Sequence, residues 1–489
     1  MTSGSPDLNA ARRAVDLDRA ADETTDVLVV GGGITGAGVA LDAASRGLAV
    51  TLIEAHDLAF GTSRFSSKLV HGGLRYLATG DVATARESAV ERHLLMTNIA
   101  PHLIRPLGQL LPFTPGVTAR QRGTGTVGMA LGDLLRMRAG TSRRTLPAPR
   151  PVSARTARAL VPALATRGLR GGMLSFDGQL VDDARLVATV ARTAAAHGAR
   201  VLTRVRALAL RADGASVEDA LTGSRVELRA RAVINATGAW SGTLDDGITI
   251  RPSRGTHIVL DARDLGDPST ALTIPHERSI SRFVFALPQH DGRMIVGLTD
   301  EDAPGPVPEV AAPTEPEIGF LLDTLNRVLG EPVTRDRVLG AFAGLRPLVD
   351  TGADSTADIS RRHLVTASAG GFVDVLGGKL TTYRRMAEDA VDLALALRGL
   401  PARASRTATL RLVDRTVPRS DADPAASAPL VDGVALTRAG VEYAVRVEGA
   451  MSAADVLDRR TRVGLVDAER ARVLSFVDLV VAETLAALD

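Results

Sequence analysis

The chain contains no cysteine among its 489 residues. That excludes disulfides, thiolate zinc sites, cysteine-ligated iron–sulfur clusters and any cofactor held by a thioether. It says nothing about redox compartment, because oxidising and reducing surroundings both tolerate a cysteine-free protein. Aromatic residues are scarce, with one tryptophan and three tyrosines, which leaves little material for a site walled by large rings. No stretch approaches the ~18 apolar residues that a membrane span needs. The N-terminus carries Asp7, Asp16, Asp18, Asp22 and Glu23, without the basic start and apolar centre of a secretion signal. A cytosolic body is therefore expected. A net charge of +2 is too small to argue for nucleic acid, and no metal site is expected.

Lysine is nearly missing too. Of 58 basic residues only Lys68 and Lys379 are lysine. Each sits in a glycine-flanked segment, Ser67-Lys68-Leu69-Val70-His71-Gly72-Gly73 and Gly377-Gly378-Lys379-Leu380-Thr381-Thr382. A bias that turned the remaining lysines into arginine stopped at these two. A compact ammonium on a flexible stem fits where a planar guanidinium does not, so both positions are expected to be tight and functional.

What is present begins at Asp26. The apolar run Val27 to Val30 leads into the turn Gly31-Gly32-Gly33-Ile34-Thr35-Gly36, then an alanine-rich stretch, then a second apolar run, Ala49 to Ile53, ending at Glu54. This is a βαβ unit with the dinucleotide fingerprint in the required order. Gly31 and Gly33 let the backbone turn and approach a pyrophosphate at the helix N-terminus. Gly36 allows close helix–strand packing, and Glu54 is placed to accept from ribose hydroxyls. The alternative is a bare glycine turn, which the flanking strands and the acid argue against.

Further along, Val82 to Ala100 has helical spacing, closed by Pro101. Residues 101–125 read as broken by Pro101, Pro106, Pro112 and Pro115. From Arg120 to Arg158 nine arginines face one acid, Asp133, and Val127 to Met137 reads as a short amphipathic helix. This segment fits either an anionic membrane surface or a solvated basic face. A capped helix is expected to end near His197-Gly198, followed by a strand over Val201 to Leu210 and a hairpin at Asp213-Gly214 and Thr222-Gly223. The strand ending Ile234-Asn235-Ala236-Thr237-Gly238 resembles the second signature of two-dinucleotide-binding flavoproteins, which favours FAD over NAD. Residues 246–350 alternate as a mostly antiparallel sheet interrupted by a helix, Glu315 to Leu329. Leu364 to Ala367 reads as a buried strand, with a helix starting near Lys379 whose Thr381 and Thr382 hydroxyls would face the flavin. Arg403 to Pro429 reads as a linker and Ala439 to Leu488 as a small helical module.

Taken together these segments resemble the FAD-dependent glycerol-3-phosphate dehydrogenase family of the aerobic, respiratory kind. The resemblance covers residues 24–396 and rests on VVGGGITGAGVALDAASRG, TSRFSSKLVHGGLRYL, SFDGQLVDDARLV, INATGAW, RGTHIVL, IVGLTD, GLRPL and GGKLTTYRRMAEDA. VEYAVRVEGAMSAADVLDRRTRVGL is similar to the family's terminal helical domain. The implied fold is α/β: a Rossmann-like FAD-binding domain of the two-dinucleotide-binding (glutathione-reductase/D-amino-acid-oxidase-like) type, an antiparallel-sheet substrate cap and a small C-terminal helical domain. The expected division is an oxidoreductase domain over 1–400 and a helical domain over 401–489. Within the first, FAD-binding parts are expected at about 20–80, 170–245 and 360–400, with the cap at about 81–169 and 246–359.

The resemblance implies oxidation of sn-glycerol 3-phosphate at C2, giving dihydroxyacetone phosphate, with hydride passing to non-covalent FAD and electrons to membrane quinone. Its implied FAD contacts are Gly31, Gly33, Ile34, Thr35, Gly36, Glu54, Thr62, Ser63, Ser67, Lys68, Leu69, Gly72, Gly73, Leu74, Thr237, Gly238, Gly378, Lys379, Leu380 and Thr381. Phosphate would meet Arg75, Tyr76, Arg282 and Thr299. His257 is the first candidate base, with Arg346 and Lys379 polarising the C2 oxygen; the division of roles among the arginines stays open. His71 is expected to fix a loop over the flavin, and Trp240 to fill a packing position.

Two departures stand out: a shortened 401–435 region, and Arg254 where lysine is common. The expected location is cytoplasmic, with weak peripheral contact at the inner face of the cell membrane, and a homodimer fits as well as a monomer. Oxygen in place of quinone fits the same motifs. An amino-acid or amine oxidase, or a silent flavoprotein, fits them less well.

Overall fold

The computed structural model describes residues 5–73, 76, 80–277, 282–350, 362–401, 403–414 and 427–488. Leu74 and Arg75 lie outside the described residues.

The fingerprint folds as its spacing dictates. Strand Thr25–Val30 lies parallel to Val50–Glu54 on one side and to the last part of Arg225–Asn235 on the other. The sheet runs, by residue range, His363–Ala367, Val373–Gly377, Arg225–Asn235, Thr25–Val30, Val50–Glu54, Arg200–Thr203. Buried on both faces, its central strands are continuous apolar runs, as a covered parallel sheet requires. The first half of Arg225–Asn235 instead pairs antiparallel with Gly214–Asp219, extending the expected hairpin away from the layer. Helix Ile34–Ser45 is buried at every residue but Thr35. Two of its glycines make that possible: a Cβ on Gly36 would stand 1.8 Å from the Gly31 carbonyl oxygen, and one on Gly38 would stand 2.7 Å from the Tyr383 ring. Helices Asp183–Ala196 and Tyr383–Arg398 share its core.

The second sheet is the cap. Its order is Glu301–Asp302, Ile250–Asp261, Arg293–Gly297, Phe283–Pro288, Ala271–Pro275, Ile104–Pro112, Gly172–Leu180, Leu69–Val70, with Gly340–Val349 and Arg150–Val152 added at the sides. It is antiparallel apart from one pair, Ala271–Pro275 with Ile104–Pro112. Two expectations are corrected here. Residues 101–125 are not simply broken: Ile104–Pro112 is a nine-residue strand, paired along its length with Gly172–Leu180. Pro106 is tolerated because the strand's other side is paired only at Gln109 and Leu110. Strand Gly172–Leu180 accordingly belongs to the cap sheet, so the nucleotide-binding layer resumes after it, at helix Asp183–Ala196.

Several helix starts carry side-chain caps. Asp182 caps Asp183–Ala196, Thr118 and Gln121 form a capping box on Ala119–Arg138, and Thr314 and Glu317 form one on Glu315–Asn326. The basic helix is thus longer than the expected Val127 to Met137. A hairpin (Pro429–Val431, Val434–Thr437) and helices Arg438–Arg446 and Asp467–Ala486 build a separate apolar core at the C-terminus. No helix among the described residues is long and apolar enough to cross a membrane.

One buried polar pair joins two neighbouring strands of the nucleotide-binding sheet under the second signature. Asn235 Nδ2 donates to Asp374 Oδ1 at 2.8 Å, while the Asn235 Oδ1 accepts from the Thr237 hydroxyl at 2.7 Å. Burial, then the neighbouring Asp245 carboxyl, push Asp374 up to about 7 against the Asn235 hydrogen bond. A carboxyl raised in the folded state binds more protons there than when unfolded. Its stability contribution therefore falls as pH rises from the usual carboxylate range through about 7. Asp374→Asn should consequently stabilise the protein at pH ~8 relative to pH ~5 by about 1 kcal/mol or more, because each tenfold gain in proton affinity on folding is worth about 1.4 kcal/mol. Chemical denaturation at the two pH values measures it; an equal effect at both would contradict the assignment.

Candidate active site

A cavity of about 700 Å³ opens where the two sheets meet, a size usual for a small-molecule site. One wall is the glycine turn and the start of its helix: Gly31, Gly33, Ile34 and Thr35. The two flavoprotein signatures touch each other there. Gly31 has φ +109°, and a Cβ on it would stand 2.6 Å from the Ala236 carbonyl oxygen and 3.1 Å from Thr237 Cα. Only glycine satisfies both demands. N–H groups left over at a helix N-terminus make this wall suited to phosphate oxygens. Thr62, Ser63, Ser67, Leu69, Thr237, Gly238, Gly378, Leu380 and Thr381 line the cavity as well. The donor set and the enforced backbone approach fit a dinucleotide.

Glu54 lines the same wall with a twist on the expectation. Its Oε2 accepts from Gly32 N–H at 2.6 Å and its Oε1 from His56 N–H at 2.9 Å. Burial raises its pKa against these two bonds. The acid thus shapes the turn itself, while each oxygen keeps a second lone pair.

The opposite wall is built by strand register. Ile250–Asp261 places Ser253 across from Arg346 and His257 across from both Phe342 and Gly297. The His257 ring stacks on Phe342 at 4.8 Å. A Cβ on Gly297 would stand 2.1 Å from His257 Cδ2, so the ring lies flat over that glycine. His257 Nε2 meets the Ser67 hydroxyl at 2.9 Å. Its Nδ1 is turned to the Gly255 backbone without a full hydrogen bond. With the ring proton on Nδ1, the tautomer that turns N–H toward the Gly255 backbone, Nε2 accepts from the Ser67 hydroxyl. Burial, then the Lys68 and Arg346 charges, lower His257 to about 3, so it is neutral at physiological pH.

Arg346 is anchored by the Ser253 hydroxyl and Asp300 Oδ1, both at 3.1 Å, and by the Thr299 carbonyl at 3.0 Å. Its guanidinium lies against Gly255, where a Cβ would stand 2.3 Å away. Lys379 sits across the cavity, its ammonium 4.2 Å from the centre of the Tyr76 ring and donating to the Ser88 hydroxyl. Arg282, Tyr76, His71 and Trp240 also line the cavity, Trp240 packing against Gly61.

Several expected residues lie elsewhere. The Lys68 ammonium points away from the cavity, buried between the Arg64 carbonyl at 2.7 Å and Asp183 Oδ1 at 2.6 Å. The lysine bias therefore marks one tight internal ion pair and one cavity cation. Thr299 does line the cavity, its hydroxyl donating to Glu317 Oε1 at 2.9 Å and accepting from Thr256 N–H. Gly36, Gly72 and Gly73 do not line the cavity: Gly36 packs beneath the turn, Gly72 packs on the Arg92 guanidinium, and Gly73 packs on Ser88 and Ala85. Thr382 is buried, its hydroxyl turned back to the Lys379 carbonyl. Arg254 pairs with Glu317. Ser88 and Asp300 were not foreseen: Ser88 meets Lys379, and Asp300, itself on the cavity wall, meets Arg346, each distant in sequence. No cluster of metal-ligating side chains occurs among the described residues.

The comparisons agree with this geometry. Residues 26–384 match the FAD dependent oxidoreductase family, and 412–486 match the C-terminal domain of alpha-glycerophosphate oxidase. The chain is 50% identical over 500 residues to glycerol-3-phosphate dehydrogenase 1 of Mycobacterium tuberculosis, covering 96% of this chain and 97% of that protein. In fold it is similar to the FAD complex of a Bacillus halodurans glycerol-3-phosphate dehydrogenase, with TM-score 0.71, 23% identity, and 98% and 96% of the two chains covered. It is also similar to the L-alpha-glycerophosphate oxidase of Mycoplasma pneumoniae with FAD bound, at TM-score 0.59 and 18% identity, covering 80% and 100%. With the two flavoprotein signatures meeting in one cavity and half of all positions shared with a full-length relative, the chain belongs to the FAD-dependent oxidoreductases, in the glycerol-3-phosphate dehydrogenase family.

Proposed function

We propose that the protein oxidises sn-glycerol 3-phosphate to dihydroxyacetone phosphate and delivers the electrons to a membrane quinone. The observation that carries this reading is a neutral histidine, His257, facing the dinucleotide turn across one cavity that also holds the Arg346, Lys379 and Arg282 cations. FAD supplies the acceptor for the C2 hydride. The chain's residues do the rest. Arg282 and the cavity cations attract the phosphate dianion. The C2 hydroxyl takes the place of Ser67 at His257 Nε2 and gives its proton there. With a conjugate acid near 3, His257 is a weak base until the substrate arrives. The dianion offsets the Lys68 and Arg346 charges that hold this value down, moving it toward the useful range. Lys379 and Arg346 stabilise the oxygen as it becomes a carbonyl.

Quinone as acceptor is supported by the basic helix Ala119–Arg138. Val127, Leu131, Leu134 and Met137 form an exposed apolar stripe on it, 40–59% exposed. Arg120, Arg138, Arg143 and Arg144 stand exposed at its ends. Gly125 and Met129 of the same helix line the cavity. A lipid-facing stripe would thus lie about one helix diameter, ~10 Å, from the site. The oxidase name of the family matched by 412–486 favours a second reading, oxygen as acceptor.

Anaerobic addition of sn-glycerol 3-phosphate should bleach the flavin band near ~450 nm; an unchanged spectrum would sink the substrate assignment. Stoichiometric peroxide in air would select the oxidase reading. Lys379→Arg should lower turnover by about 10²-fold or more with flavin content unchanged, since the guanidinium is too broad for the space between Tyr76 and Ser88. A wild-type rate in that variant would contradict the role. Leu131→Glu with Leu134→Glu should abolish co-sedimentation with anionic vesicles while leaving flavin bleaching intact. Retained vesicle binding would remove the helix from the membrane contact.

A further inference from the structure

The loop after the second fingerprint strand is held from both sides. Ala55, His56, Phe60, Gly61, Thr62 and Ser63 line the cavity next to Glu54, the end at which a fingerprint acid meets the adenosine ribose. On the inner side the loop is pinned to the glycine turn. Ala59 N–H donates to the Gly32 carbonyl at 3.0 Å, and Ile34 N–H to the Ser63 hydroxyl at 3.0 Å. Ala59 has φ +62°, an unfavourable conformation for alanine that persists only where contacts enforce it.

On the outer side those contacts come from about 400 residues later in the chain. Asp57, 1% exposed, faces away from the cavity. Its carboxylate accepts from Arg459 Nε at 2.7 Å and from Arg460 Nη1 and Nη2 at 2.9 and 2.8 Å. Arg459 is held in turn by Asp455 at 2.5 Å and lies 5.7 Å from the centre of the Phe60 ring. Arg460 also donates to the Glu448 carbonyl at 2.8 Å. Arg204 ties the same parts together, its N–H donating to the His56 carbonyl at 2.7 Å and its guanidinium to Asp455 at 2.5 Å. The Arg459 charge opposes that of Asp57 at Glu54.

We propose that the C-terminal helical segment is a cofactor-retaining clamp, in which Arg459 and Arg460 act through Asp57 to hold the 55–63 loop closed over the adenosine end of FAD. Arg459, Arg460 and Asp57 are positioning residues, since none of them lines the cavity. The clamp gives the C-terminal segment a task at the flavin without a side chain in the site. It rests on FAD being the bound dinucleotide.

The test is the rate of FAD release from the full-length holoprotein, followed by the fluorescence that flavin regains in solution. Asp57→Asn keeps the shape, removes the charge and turns one of the two accepting oxygens into an NH2 that cannot accept from arginine. It should speed release by about tenfold. Glu448→Gln loosens a different, buried attachment of the same segment, the ion pair with Arg185; it should lower the thermal midpoint of the protein while leaving release within about twofold. If Asp57→Asn does not fold, Arg459→Lys keeps the charge and loses the fork, and should also speed release. Unchanged release in the folded Asp57 or Arg459 variant would overturn the clamp. So would equal acceleration in Glu448→Gln, which would mean general loosening. A wild-type protein purified without a flavin spectrum would instead refute the FAD reading on which the clamp rests.

Discussion

The structure turns on one electrostatic constraint: a histidine buried between fixed cations. His257 lies between the Phe342 ring and the cavity, with the Lys68 and Arg346 charges acting on it. A proton on its ring would add a third positive charge in a dry place, so the ring stays neutral and its Nε2 lone pair stays available. Each neighbour exists to maintain that arrangement. Asp183 neutralises Lys68, and Asp300 with Ser253 anchors Arg346. Gly297 and Gly255 clear the space in which ring and guanidinium lie. The cavity thereby carries the Arg346, Lys379 and Arg282 cations on its lining beside a neutral imidazole.

The same logic explains how the two layers cooperate. The nucleotide-binding sheet offers backbone N–H groups, glycine turns and hydroxyls, all electrically modest. It also supplies one cation, Lys379, just after Val373–Gly377, while the cap sheet offers Arg346 and the neutral imidazole. Strand register fixes the second set more firmly than any loop would, because His257, Ser253, Arg346 and Gly297 are locked by neighbouring ladder pairs. Chemistry that needs sub-ångström placement is therefore built on strands, while the cofactor wall, which needs closure, is built on a loop.

Much of this was legible in the sequence, and the exceptions have physical reasons. The fingerprint and the Asn235-Ala236-Thr237-Gly238 signature are local, so their residues sit next to one another in the chain. The role of Lys68 was not, because its ammonium turns inward to Asp183, and nothing in Ser67-Lys68-Leu69 tells which way it points. Thr299 fits a phosphate pattern and lines the cavity, its hydroxyl donating to Glu317. The strand through Pro106 was hidden because one-sided pairing is a tertiary property. Ser88, Asp300 and Asp57 were missed for the same reason: each matters through a partner that sequence spacing does not reveal.

The central claim is that His257 is neutral in the substrate-free protein because it is buried among cations. Nitrogen-detected NMR titration of the histidines, with His257→Gln to assign its signal, tests it most directly. The account predicts no protonation of His257 above about pH 5, with the Nδ1–H tautomer throughout, and an upward move of its midpoint on adding sn-glycerol 3-phosphate. A midpoint near the ordinary ~6.5 in the free protein, unaltered by substrate, would contradict it.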